Sequence, residues 1–228
     1  MTRVKICGLT RLEDAAAALE LGADYLGFIL YPPSPRTATP DSVGYIVRVL
    51  KNTYPSRFSE SNPPQLVGVF VNETSAYMAE ILGQCGLDMA QLSGDEDADI
   101  VNRSDSQILG RVYKAIRPRS TSEARDLLSR YTNLGTSTGA FIPSILLDTP
   151  HGRLYGGSGE VGNWELAADL AATMPHLMLA GGLTPENVSA AVRKVRPFAV
   201  DVASGVETDP GIKDHDLLYS FIQNAKHP

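Results

Sequence analysis

The chain has 228 residues, a formal net charge of −6, 43% apolar residues and 20% charged residues. That balance is typical of a soluble globular protein and argues against a basic nucleic-acid binder or a charged disordered tail. No apolar run reaches the length of a membrane span, and the first residues carry no signal-peptide core. The two cysteines, Cys7 and Cys85, form no CxxC pair and no metal-type cluster, so a reducing cytoplasmic setting is expected.

Strand-like and helix-like runs then alternate from start to finish. Arg3–Cys7 reads as a strand, and Leu12–Leu21 as a helix capped by Thr10. Strand Asp24–Ile29 precedes helix Pro40–Leu50; strand Gln65–Val71 precedes helix Thr74–Cys85. The third and fourth pairs are separated by a shorter connection, and Met89–Leu92 leads to Asp97–Arg103. Leu109–Ala115 leads to Ser122–Arg130, and Ser144–Asp148 to Trp164–Ala172. Strand Leu177–Ala180 precedes helix Pro185–Val195, for which Thr184-Pro185-Glu186 supplies a cap, a first-turn proline and an acidic first turn. Strand Ala199–Asp201 and helix Ile212–Lys226 close the series.

Apolar strands without alternation imply burial on both faces and a parallel sheet. Eight βα units in this length point to an α/β protein with one (β/α)8 TIM barrel over residues 1–228; a doubly wound open sheet stays open as an alternative. Two long connectors, Asn52–Pro64 and Tyr131–Pro143, follow helices and precede strands. They belong on the bottom face, as surface insertions away from a site. Cys85 reads as plain packing at a helix end.

The chemistry-bearing residues fall at strand ends, where α/β enzymes keep their sites. Cys7 closes strand one, Asp148 strand six and Asp201 strand eight. Ala180-Gly181-Gly182-Leu183 follows strand seven, and Ala203-Ser204-Gly205-Val206 follows strand eight. Barrel closure makes these loops neighbours. Glycine lets backbone N–H groups approach an anion, and a following helix N-terminus adds a positive dipole end. The pair is a candidate phosphate cradle.

Arg36, in the proline-stiffened loop Tyr31–Arg36, is suited to gripping a carboxylate. Gly157-Ser158-Gly159-Glu160-Val161-Gly162 matches a dinucleotide fingerprint by letters only. It lies well after strand six instead of joining a first strand to a helix, so a lid is the better reading. Trp164 then anchors the next helix. His151 sits in that loop; His176, His215 and His227 fall in helical or terminal regions, and no pair has metal-ligand spacing. A thiol, two carboxylates, an arginine and a glycine cradle fit a cofactor-free, metal-free proton shuttle on a phosphorylated sugar, since a thiolate is a base and a carboxylic acid an acid.

The segments VKICGLT (4–10), GADYLGFILYPPSPR (22–36), VGVFVN (67–72), QLSGDE (91–96), LLDT (146–149), GGSG (156–159), AGGLTPENV (180–188) and RPFAVDVASGVE (196–207) are similar to those of phosphoribosylanthranilate isomerase. This is a (β/α)8 enzyme of tryptophan biosynthesis, and the likeness runs from residue 3 to the end apart from the two connectors. The resemblance implies an Amadori rearrangement of N-(5-phosphoribosyl)anthranilate to 1-(2-carboxyphenylamino)-1-deoxyribulose 5-phosphate. It implies Asp148 as general acid, Cys7 as general base and Arg36 as holder of the anthranilate carboxylate. It further implies Asp201 on sugar hydroxyls, and Gly181, Gly182, Ser204 and Gly205 on the phosphate. The partner is then a small phosphorylated sugar carrying anthranilate, with no nucleic acid and no membrane; homodimer and monomer both stay open.

The chain departs from the family in two places. Ser93 stands where the family often has histidine, and Ala203 where it often has serine. The first bears on affinity; the second removes one donor near the phosphate. Two other functions remain in view. One is the barrel isomerase of histidine biosynthesis, whose chemistry resembles a pair of aspartates, one of them where Cys7 stands. The other is a non-catalytic sugar-phosphate-binding barrel.

Overall fold

The computed structural model describes residues 1–102, 106–131, 142–148 and 164–228. Eight strands form a closed parallel barrel in sequence order: β1 (Arg3–Ile6), β2 (Tyr25–Ile29), β3 (Gln65–Phe70), β4 (Met89–Leu92), β5 (Val112–Ile116), β6 (Ile145–Asp148), β7 (Leu177–Ala180) and β8 (Ala199–Val202). Closure comes from β1 pairing with β8, Val4 opposite Val200 and Ile6 opposite Val202. The open-sheet alternative is thereby excluded.

The helices are α1 (Leu12–Glu20), α2 (Pro40–Thr53), α3 (Pro55–Phe58), α4 (Ser75–Cys85), α5 (Asp99–Asn102), α6 (Thr121–Arg130), α7 (Trp164–Ala171), α8 (Val188–Val195) and α9 (His215–Lys226). Apolar stripes such as Val43, Ile46, Val47 and Leu50 on α2 pack them onto the strands. Thr39, Thr74, Ser120 and Asp214 cap helices by accepting backbone N–H bonds.

Strand residues alternate between two cores, because successive side chains point to opposite faces. Val4, Ile6, Leu26, Phe28, Val200 and Val202 face the helices. Tyr25, Val67, Met89, Tyr113, Leu146 and Met178 fill the barrel interior. Continuing the interior set by two residues toward the strand ends reaches Gly27, Val69, Gln91, Ala115, Asp148 and Ala180. The period of two thus carries the packed centre up to the mouth.

Several local expectations need correction. Thr10 does not cap α1: its hydroxyl donates to the Gly211 carbonyl, and Arg11 occupies the cap position without a side-chain bond. The helix after β7 begins at Val188, although the Thr184 carbonyl already accepts from the Val188 N–H. The fifth strand starts at Val112, because Ile108–Gly110 turn back with Gly110 at φ +75°. Connector 52–64 contains α3. The last helix starts at His215; before it, β9 (Glu207–Asp209) and β10 (Ile212–Lys213) form a two-stranded antiparallel ribbon. Cys85 is buried, its thiol donating to the Pro40 carbonyl, as packing requires.

Candidate active site

The mouth of the barrel holds a cavity of about 380 Å³. Cys7, Asp148, Asp201, Gly181, Gly182, Ser204 and Gly205 all line it, so seven of the eight sequence-predicted site residues meet in one space. Arg36 is not among the lining residues. Its Nε donates to both carboxylate oxygens of Glu207 (3.0 and 2.9 Å) and its Nη2 lies 2.8 Å from Oε2. The side chain crosses above Gly8, where an added Cβ would stand 2.9 Å from Arg36 Cδ. The lid motif 157–162 and His151 lie outside the described residues. His176 stacks on Phe198 and His215 bonds Asp14, neither at the cavity.

The thiol side is built on β1 and β8. Lys5 and Cys7 share the inward face two residues apart, and Lys5 Nζ lies 2.9 Å from Asp201 Oδ1. Lys5 is wholly buried. Burial alone would discharge it; the Asp201 carboxylate, with Cys7 and Tyr113, overrules that and holds the ammonium well above the ordinary lysine range. Burial also pushes the Cys7 thiol up, while the Lys5 charge and hydrogen bond pull it back toward thiolate. Gly27 makes this fit possible: a Cβ there would sit 3.0 Å from Cys7 Sγ and 3.2 Å from Lys5 Nζ.

A second ammonium, Lys213 on β10, fixes the Cys7 backbone from behind. Its Nζ donates to the Cys7 carbonyl (2.7 Å), the Ala203 carbonyl (3.0 Å) and Glu207 Oε1 (2.7 Å). Burial pulls Lys213 down, and the Glu207 contact resists it.

The carboxyl side is built on β5 and β6. Asp148 is about a third exposed, and Arg117 Nε donates to its Oδ2 at 2.8 Å. Arg117 Nη1 donates to the Ser93 carbonyl at 3.2 Å, and the Ser93 hydroxyl accepts from Gln91 Nε2 at 3.0 Å. Asp148 is thus only partly withdrawn from water, with a guanidinium beside it.

The two glycine loops meet as closure requires. Gly181 and Gly182 have φ +97° and +60°, which favour glycine. A Cβ on Gly205 would fall 2.0 Å from the Leu183 carbonyl oxygen, so only glycine lets the β8 loop press against the β7 loop. The 3₁₀ turn Ser204–Val206 follows.

A scan against known protein families matches residues 4–224 to N-(5'-phosphoribosyl)anthranilate (PRA) isomerase. The chain belongs to that family. It is 42% identical to the PRA isomerase of Trichlorobacter lovleyi, covering 99% of this chain and 98% of that one. The crystal structure of the Thermotoga maritima PRA isomerase superposes with a TM-score of 0.81 at 39% identity, over 100% of both chains. A PRA isomerase structure in complex with reduced 1-(o-carboxyphenylamino)-1-deoxyribulose 5-phosphate gives 0.79 at 37% identity, again over 100% of both chains.

Beside those relatives, sequence reasoning missed four charged residues: Lys5, Arg117, Glu207 and Lys213. Lys5 and Arg117 were findable, since each sits two residues from an inward strand position. Glu207 and Lys213 depend on a ribbon that periodicity does not reveal.

Proposed function

We propose that this chain catalyses the Amadori rearrangement of N-(5-phosphoribosyl)anthranilate in tryptophan biosynthesis, with Asp148 as acid and Cys7 as base. The supporting observation is that a thiol from β1 and a carboxyl group from β6 line one cavity whose rim carries both glycine loops. Backbone N–H groups of Gly181-Gly182 and Ser204-Gly205 bind the phosphate without help from net charge. That anchors the ribose between the two proton-transfer groups.

Protonated Asp148 gives its proton to the furanose oxygen as the anilino nitrogen lone pair opens the ring to a Schiff base. The Cys7 thiolate then takes the C2 proton, and the electron pair flows to the nitrogen to give an enolamine. Reprotonation at C1 and loss of the C2 hydroxyl proton yield the ketone, so atoms balance without a cofactor. Lys5 supports the thiolate across the same space, and Asp201 meets sugar hydroxyls with the oxygen Lys5 leaves. Arg36 holds the anthranilate carboxylate after leaving Glu207. The histidine-pathway reading is disfavoured by the family match and by a thiol where that chemistry uses an aspartate.

Anthranilate fluorescence tests the reaction. Adding the chain to phosphoribosylanthranilate should quench the signal faster than spontaneous hydrolysis changes it. Binding with no accelerated decay would instead favour a non-catalytic sugar-phosphate barrel.

A further inference from the structure

Among the described residues, the cavity lining holds one cation that the reaction does not use. Arg117 lines it on the carboxyl side and is about half exposed (53%), whereas Lys5 is sealed below and Arg36 is turned onto Glu207. The two arginines differ in how completely they are satisfied. Arg36 meets Glu207 as a fork, with Nε and Nη2 on one carboxylate. Arg117 touches Asp148 through Nε alone and spends Nη1 on a backbone carbonyl. A guanidinium binds a carboxylate best through two parallel N–H bonds, so the Arg117 pair leaves recognition capacity unused.

We infer that Arg117 is a specificity-determining residue that grips the substrate's ring carboxylate, in exchange for the Asp148 carboxylate it contacts in this structure. The inference rests on the reading above, in which the substrate carries an anthranilate. An entering carboxylate can take the Arg117 fork in exchange for a one-point contact and a carbonyl. The exchange also frees Asp148 to face the ribose ring. Arg117 thereby couples the presence of a carboxylated ring to the availability of the acid, and shares the carboxylate with Arg36.

The test uses two probes: reduced 1-(o-carboxyphenylamino)-1-deoxyribulose 5-phosphate and its phenyl counterpart without the carboxylate. Dissociation constants are measured for the full chain, for Arg117→Gln, for Asp148→Asn and for the double variant. Arg117→Gln should weaken the carboxylated probe roughly 10–100-fold, the worth of a charged hydrogen-bonded contact, and leave the phenyl probe unchanged. Asp148→Asn should tighten the carboxylated probe by up to about fivefold, the worth of a half-exposed ion pair, by removing the competing carboxylate. That tightening should vanish in the double variant.

A preference for the carboxylated probe that survives Arg117→Gln undiminished overturns the inference, because Arg36 alone would then account for it. So does equal weakening of both probes, which would mean Arg117 only shapes the cavity. If the unaltered chain binds neither probe and leaves phosphoribosylanthranilate untouched, the functional reading itself has failed, separately from Arg117.

Discussion

The two sides of the cavity are built in opposite ways. On the β1/β8 side, Lys5 and Cys7 are buried, Asp201 pairs with Lys5 at the cavity wall, and the buried Lys213 clamps the Cys7 backbone. On the β5/β6 side, Asp148 and Arg117 are partly open to solvent and joined by one-point contacts. The base is thus set by burial and fixed charge, which need no reorganisation at the moment of reaction. The acid is set by contacts that a ligand can exchange. A base must reach one particular C–H bond, which favours rigidity; an acid that must be recharged with a proton each cycle benefits from access to water.

The largest effects should come from removing the transferring groups. Cys7→Ser and Asp148→Asn should each lower turnover about 10²–10⁴-fold while probe affinity stays within an order of magnitude, as steady-state kinetics and titration would show. Near-normal turnover in either would remove that residue from the mechanism.

Lys5→Met should act on both stability and pH dependence. It leaves Asp201 without its buried partner, which costs roughly 3 kcal/mol in denaturant unfolding. The active form of Cys7 is the thiolate, so turnover rises with pH as the thiol loses its proton. Burial already places that rise above the ordinary thiol range, and Lys5 opposes burial. Losing the ammonium should move the rise to still higher pH. Adding Asp201→Asn should recover stability and bring the profile only part of the way back, because the Asp201 charge also pushes the thiol up while the Lys5 charge and hydrogen bond stay lost.

Gly27→Ala sharpens the comparison on a smaller scale. The new methyl would press on Cys7 Sγ and the end of Lys5, each of which would have to yield by a few tenths of an ångström. The fold should persist with turnover down roughly tenfold, since slight misplacement of a reacting group is costly. An equivalent Gly83→Ala change, where nothing stands within 4 Å of the added methyl, should leave turnover intact.

The same contrast explains what was legible in the sequence. Met89–Leu92 and Leu177–Ala180 match their expected bounds because buried parallel strands announce themselves as short apolar runs. Cys7, Asp148 and Asp201 were visible because each breaks an apolar run at or within one residue of a strand end. Lys5 escaped because a lysine inside a strand reads as an outward residue, and its burial depends on Asp201, 196 positions away. Arg36 reads from sequence as an open guanidinium; Glu207, brought beside it by the ribbon of β9 and β10, fills its fork. Ile212–Lys213 read as the start of the last helix because local apolarity does not tell a ribbon from a first turn.

The claim that one residue serves ring opening and the other C2 deprotonation is tested most directly with substrate deuterated at C2. In Cys7→Ser the C2 step should limit turnover, giving a full primary isotope effect. In Asp148→Asn ring opening should limit, and the effect should fall to near unity. An isotope effect of the same size in both variants, or the reverse order, would contradict the division of labour proposed for the two strands.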